Sequence, residues 1–188
     1  MSFLLHLLRH GAPEMPGRMM GRTDGAPSSE GIAACVDQAG DLDIASLISS
    51  DLARAASPAA ALATTLGVPL AIDPRWRELD FGLWDGLSSS EIDAAALGRF
   101  WDDPDAHAPP EGERWSHLTA RVAAAIGELP PRPTLVVTHG GAMRAALAVL
   151  CGFEQRHIWA FDLPYAALLT LKLWPGDKPS AQIVGLWP

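Results

Sequence analysis

Two histidines and two arginines in this sequence stand where they can act together. Arg9-His10-Gly11 follows the apolar run Phe3-Leu4-Leu5-His6-Leu7-Leu8. Arg54 closes the link Ser49-Ser50-Asp51-Leu52-Ala53, and His139-Gly140-Gly141 follows the apolar run from Thr134. Imidazole is a competent nucleophile near neutral pH, because its unperturbed pKa of about 6.5 leaves most of it unprotonated. Guanidinium groups match phosphate oxygens with paired N–H donors, and two of them held close repel unless an anion lies between. No carboxylate cluster suited to Mg²⁺ accompanies them, and no Walker-type glycine loop is present. The set implies attack of an imidazole on phosphorus, stabilised by fixed cationic groups in place of a metal.

For these residues to meet, the elements that carry them must end at one edge. Phe3 to Leu8 has the apolar character of a strand buried on both faces of a parallel sheet, ended by Gly11 and Pro13. Pro16 to Pro27 is polar and glycine-rich, and Ser28 is placed to cap a helix reaching about Ala39. Ala45 to Ile48 is a second strand. Ser57-Pro58 then predicts an N-cap with proline at the first helical position, opening a helix to about Leu66. Val68 to Ile72 is a weak edge strand, since Pro69 cannot donate to a ladder. The chain from Asp73 to Pro110 is loop-rich, with one helix opened by the capping box Ser88 to Glu91. Another helix is expected from about Gly112 to Leu129, stopped by Pro130-Pro131. Thr134 to Thr138 is a strand followed by a helix to about Leu150. Two more strands, Ala166 to Leu173 and Ala181 to Leu186, flank the turn at Pro175-Gly176-Asp177.

Strands alternating with helices predict a three-layer α/β/α fold with a mainly parallel central sheet, a single domain over residues 1–188, and a lid at about 73–113. Ligands of such sheets bind at the carboxyl ends of the strands. Three separate strands therefore bring Arg9, His10, Arg54 and His139 to one edge.

The composition supports a packed domain: 188 residues, 48% hydrophobic and 19% charged, with no compositional mark of disorder. A net charge of -8 argues against a nucleic-acid binder, which needs a basic stripe, but not against a small phosphorylated substrate. Two cysteines, Cys35 and Cys151, make no disulfide framework and have no metal-site spacing, so a reducing, cytoplasmic setting is expected. The apolar start is short and lacks a basic leader and a cleavage site, and no run approaches the ~20 apolar residues that span a bilayer.

Leu8-Arg9-His10-Gly11 after a buried strand resembles the signature of the histidine phosphatase superfamily, whose fold is shared with cofactor-dependent phosphoglycerate mutases. Further segments extend the resemblance over nearly the whole chain: Gly21-Arg22-Thr23-Asp24 with Ser28 and Gly31, Ser50-Asp51-Leu52-Ala53-Arg54-Ala55, Arg77-Glu78-Leu79-Asp80-Phe81-Gly82 with Trp84-Asp85-Gly86, and Thr138-His139-Gly140-Gly141. Four motifs in order carry far more weight than the tripeptide Arg-His-Gly alone. The resemblance implies a phosphomonoesterase with no cofactor or metal. His10 is its nucleophile, Arg9, Arg54 and His139 hold the phosphoryl group, and Glu78 is the general acid and then the base. It also implies phosphate binding through the Gly140 amide at a helix N-terminus. The chain departs from the family pattern in two places. Ala12-Pro13 replaces the usual glutamate, and Pro16-Gly17-Arg18 stands where an asparagine is usual, with Thr23 or Arg18 the expected substitute. The short chain and the Gly21–Asp24 segment look most like the α-ribazole phosphatase branch, implying α-ribazole 5′-phosphate as substrate. Phosphoglycerate mutase, protein phosphohistidine phosphatase and an inactive phosphate-binding module are the alternatives.

Other residues read more plainly. His6 is expected to be a hydrogen-bonded core histidine. His107, His117 and His157 have no motif context. Arg18, Arg22 and Arg144 are either steering charges or solvated surface. Trp76, Trp84 and Trp101 fall near the predicted mouth, with core packing the favoured account, and Ser88-Ser89-Ser90 reads as capping.

Overall fold

A computed structural model describes all residues, 1–188. Six strands form one sheet: β1 (Phe3–Arg9), β2 (Ser46–Ser49), β3 (Leu70–Ile72), β4 (Thr134–Thr138), β5 (Leu168–Trp174) and β6 (Ser180–Trp187). The order across it is β3-β2-β4-β1-β5-β6. From β3 to β1 all neighbours are parallel, whereas β5 is antiparallel to both β1 and β6. β1 and β4 run in register from Leu5 opposite Thr134 to Arg9 opposite Thr138. That register sets the ends of the two histidine-bearing strands side by side.

The continuous apolar runs are explained by burial on both faces. Leu5, Leu7 and Val136 point into one core, with Leu118 and Val122 of α4 (Trp115–Gly127) and Met143 and Leu147 of α5 (Gly140–Cys151). Leu8, Leu135 and Val137 point the other way, against Cys35 and Ala39 of α1 (Ser29–Ala39) and Ala55, Ala59 and Leu62 of α2 (Ala53–Leu66). Period-two alternation along β1 and β4 thus builds the three-layer α/β/α fold with its mainly parallel sheet. His6 is buried in β1, and its Nδ1 lies 2.9 Å from Oγ1 of its cross-strand partner Thr170, as expected for a core histidine.

Three helix starts differ from the sequence reading. α2 begins at Ala53, not Ser57, with Pro58 inside it. The Asp24 carboxylate accepts from the Ala53 amide at 2.6 Å, so the cap comes from a loop 29 residues upstream. Proline near the first turns forfeits a single helical bond, which this remote cap offsets. The capping box at Ser88 closes only one 3₁₀ turn (Ser89–Glu91), and α3 (Ala94–Asp102) takes its cap from Asp93. α4 opens at Trp115, because Gly112 closes a turn onto Pro109 and the Glu113 amide donates to the Asp80 carbonyl.

The segment from 73 to 113 is three 3₁₀ turns and one short helix, and it is tied down. Arg121 of α4 donates to the carbonyls of Arg75, Arg77 and Glu78 and pairs with the Glu113 carboxylate.

Candidate active site

His10 continues β1 by one residue: its amide donates to the Thr138 carbonyl and its own carbonyl accepts from Ala166. With both neighbours bonding its backbone, its side chain has a determined origin. Nδ1 lies 2.7 Å from the Gly11 carbonyl. A carbonyl can only accept, so the proton sits on Nδ1 and Nε2 keeps its lone pair. Burial, and then the nearby Arg54 and Arg9, push the imidazole down to about 3, so it is uncharged at neutral pH. Gly11 is required to be glycine: a methyl there would lie 1.9 Å from the Gly31 carbonyl oxygen, where the first helix packs onto the strand end.

Around His10 the structure assembles the other expected phosphoryl-binding residues. Arg54, in the first turn of α2, is fully buried, and its Nη atoms donate to the carbonyls of Met20, Gly21 and Thr23. Arg9 lies with its guanidinium carbon 4.4 Å from the centre of the Tyr165 ring and donates to the Leu163 carbonyl. His139, the N-cap of α5, is wholly buried, with its ring centre 5.0 Å from that of His10. Burial, and then His10 and the arginines, hold its imidazole well below its ordinary range. Its Nε2 is 2.7 Å from the Ser50 hydroxyl, whose oxygen accepts from the Leu52 amide.

Five buried side-chain polar atoms in the whole protein lack a hydrogen-bond partner, and four belong here: Arg9 Nε, Arg54 Nε, His139 Nδ1 and Arg144 Nε. Each unpaired buried donor costs about 1–3 kcal/mol, so folded proteins carry few of them. Three of them surround one imidazole and the fourth, Arg144 Nε, belongs to the wall of the same cleft, which marks a place built for anions.

Glu78 comes from the 73–113 segment and faces the same cleft. Its carboxylate accepts from the Leu79 amide at 2.8 Å and from the Gly141 amide at 2.9 and 3.1 Å. A methyl on Gly141 would lie 2.1 Å from Glu78 Oε1, so the second glycine of His139-Gly140-Gly141 makes room for the carboxylate. Gly140 lines the cleft, but the amide of α5 with a defined partner is that of Gly141. Thr23 is placed differently from expectation. It is exposed and absent from the cleft wall, and its carbonyl serves Arg54 while its amide donates to Asp85. The loop turns its backbone to the site because Asp85 holds the amides of Arg22 and Thr23.

Beyond the cations the cleft, about 200 Å³, has an aromatic wall. Phe81, Phe100, Trp101, Trp115, Trp159 and Tyr165 line it, whereas Trp76 and Trp84 are core. Arg144 points into it too, one turn along α5 from Gly140. Sequence reasoning missed Tyr165, Ser50 and the placement of Arg144 and Trp159. The signals were weak but present: Ser50 ends β2 at the functional edge, and Arg144 lies four residues after Gly140, on the same helical face. Tyr165, the only tyrosine, precedes a strand whose pairing with β1 no local pattern specifies. No group of three or more His, Cys, Asp or Glu side chains is arranged to hold a metal ion.

A sheet whose carboxyl edge gathers two imidazoles and several guanidiniums defines a phosphoryl-handling α/β protein. The chain belongs to the histidine phosphatase superfamily (branch 1), whose pattern matches residues 5–183, and is with it a phosphomonoesterase. It is 36% identical to a glucosyl-3-phosphoglycerate phosphatase of Mycolicibacterium vanbaalenii, over 79% of this chain and 74% of that one. The structure of a mycobacterial glucosyl-3-phosphoglycerate phosphatase superposes with a TM-score of 0.87 at 28% identity, covering 98% of both chains. An Escherichia coli protein provisionally assigned as an alpha-ribazole-5'-P phosphatase superposes at 0.81 over 97% of this chain and 96% of its own, with 21% identity, and shares the fold. The sequence relatives thus point to a phosphorylated small metabolite, and they lend no particular support to α-ribazole phosphate.

Proposed function

We propose that the protein hydrolyses a small phosphomonoester through a phosphohistidine on His10, without a metal. The unpartnered donors of Arg9, Arg54 and His139 around an uncharged, tautomerically defined imidazole carry this reading. His10 Nε2 attacks phosphorus as the bond to the leaving oxygen breaks, and Glu78 gives that oxygen its proton. A water then attacks the phosphohistidine, Glu78 takes the water's proton, and the P–N bond breaks to release inorganic phosphate. Arg9, Arg54 and His139 hold the phosphoryl oxygens throughout. The Ser50 hydroxyl already accepts from Leu52 and has its own proton free for His139 Nε2, which leaves the Nδ1 proton for the phosphate.

A confined aromatic cleft favours a small molecule over a protein substrate, with residues 73–113 serving as the selective wall. Glucosyl-3-phosphoglycerate, for which the relatives are named, is the first compound to test, ahead of α-ribazole 5′-phosphate. The test is phosphate release in EDTA from a panel of monoesters that also includes 3-phosphoglycerate and a phosphohistidine peptide. It is paired with trapping of acid-labile, base-stable phosphate on the quenched protein. Turnover in EDTA with label on native protein, and none on His10→Ala, is expected. Turnover without a trapped intermediate, unchanged in His10→Ala, would sink the mechanism; no turnover of any substrate would favour the inactive phosphate-binding module.

A further inference from the structure

We propose that Arg144 forms a second anion subsite beside the phosphoryl pocket and selects monoesters that also carry a carboxylate. The inference rests on the phosphatase reading above and deepens it. Arg9, Arg18, Arg54 and Arg144 line the cleft, and Glu78 is the single carboxylate among its walls. This local excess of positive charge stands in a chain of net charge -8. Arg9 and Arg54, with His139, already surround His10, and Arg18 is engaged by the Gly86 carbonyl and by Glu91. Arg144 is left over.

Its surroundings are those of a binding group, not a structural one. It is partly buried and takes part in none of the ion pairs of the molecule. Its Nη atoms donate to the carbonyls of Gly140 and Phe161 over long contacts of 3.3 Å each, and its Nε has no partner. The Trp159 ring lies beneath the guanidinium, 4.9 Å from centroid to Cζ, and Trp101 meets Trp159 edge-on at 5.0 Å. A guanidinium seated on an aromatic face is oriented yet keeps its N–H edge free. Glu78 and Asp162 are the carboxylates that act on this guanidinium, but neither forms an ion pair with it, so a partly desolvated charge gains from an anion that comes closer.

The spacing says how large the ligand is. A methyl on Gly140 would lie 3.1 Å from Arg144 Nη1 and 3.6 Å from Arg9 Cζ. Both guanidiniums therefore flank one α-carbon, and a single small scaffold reaches from one to the other. A carboxylate matches the planar guanidinium edge and brings one negative charge to one unpaired cation. The aromatic pair Trp101 and Trp159 leaves an apolar face for the remainder of the molecule.

The test uses two monoesters that differ only in that group, 3-phosphoglycerate and glycerol 3-phosphate, with native protein, Arg144→Gln and Arg144→Lys. Native protein is expected to prefer the carboxylated ester. In Arg144→Gln the ratio of the two kcat/KM values falls by about tenfold or more, through KM, and Arg144→Lys restores part of it. Because both substrates meet the same preparation, any loss of folded protein cancels from the ratio. An equal loss on both esters would make Arg144 a ligand of the phosphoryl group and overturn the inference. So would a native enzyme indifferent to the carboxylate. Hydrolysis of neither ester, or of any other in the panel, would instead remove the phosphatase reading and this inference with it.

Discussion

The two ends of the cleft are built in different ways. At the phosphoryl end, side chains start from strand ends and first helical turns. His10 extends the ladder between β4 and the turn before β5, Arg54 is anchored to three carbonyls, and His139 caps α5. At the far end, Phe81, Phe100, Trp101 and Trp159 stand on loops, 3₁₀ turns and a short helix, several of them partly exposed. Chemistry at phosphorus needs donors placed within a fraction of an ångström, and only backbone in regular hydrogen-bonded elements supplies that. Recognition of the leaving group tolerates adjustment, so it sits on chain that changes without disturbing the sheet. Glu78 bridges the two: it comes from the loop-rich segment but is held by an amide of α5 and, through its carbonyl, by Arg121.

The sharpest way to break this comparison is at His10, the proposed nucleophile. His10→Ala is expected to lower kcat by about 10⁴-fold or more on every substrate, because no other group at the phosphoryl end is placed to form the proposed covalent intermediate. A loss confined to one substrate would mean that the two ends are not separate in function.

Glu78→Gln should lower kcat by about 10²–10³-fold, and Gly141→Ala by a smaller factor, since its methyl displaces the carboxylate without removing it. Full activity in Gly141→Ala would show that the position of the Glu78 carboxylate against Gly141 is not needed for turnover.

Acid stability separates the ends by a different property. The unfolded chain protonates its histidines near pH 6.5, whereas folded His10 resists down to about 3 and His139 is lowered as well. Between those values the unfolded state binds more protons. Stability is therefore complete above about pH 6.5 and is lost as the pH falls toward 3. His10 alone should remove about 2 kcal/mol between pH 7 and pH 5, measured by urea unfolding. His10→Ala should lose correspondingly less over that interval, and an equal loss in both proteins would place its imidazole in water.

The smallest effect is expected at Thr23. Thr23→Ala should change kcat/KM by less than about threefold, because the site uses the carbonyl of that residue and not its hydroxyl. A tenfold loss would bring the hydroxyl into the phosphoryl pocket.

Much of the fold was legible because its signals are local. Phe3 to Leu8 is apolar apart from His6, and Leu135 to Val137 is wholly apolar, as a doubly covered strand requires, and Ser28 caps its own helix. The start of α2 was not legible, since its cap is the Asp24 side chain, and this moved Arg54 from a link into a helix. Thr23 was misplaced for a related reason: the orientation of its loop is decided by Asp85, 62 residues away.

By itself the sequence determined the order of strands and helices and which residues end the strands, because periodicity and capping act over a few residues. That was enough to bring His10, Arg9, Arg54 and His139 to one edge. The tertiary structure alone decided which tautomer His10 holds, that Tyr165 lies beside it, and that Arg144 faces the cleft with an unpartnered Nε. Those properties depend on burial and on neighbours distant along the chain, and no local pattern encodes the dielectric or the company that a side chain meets after folding.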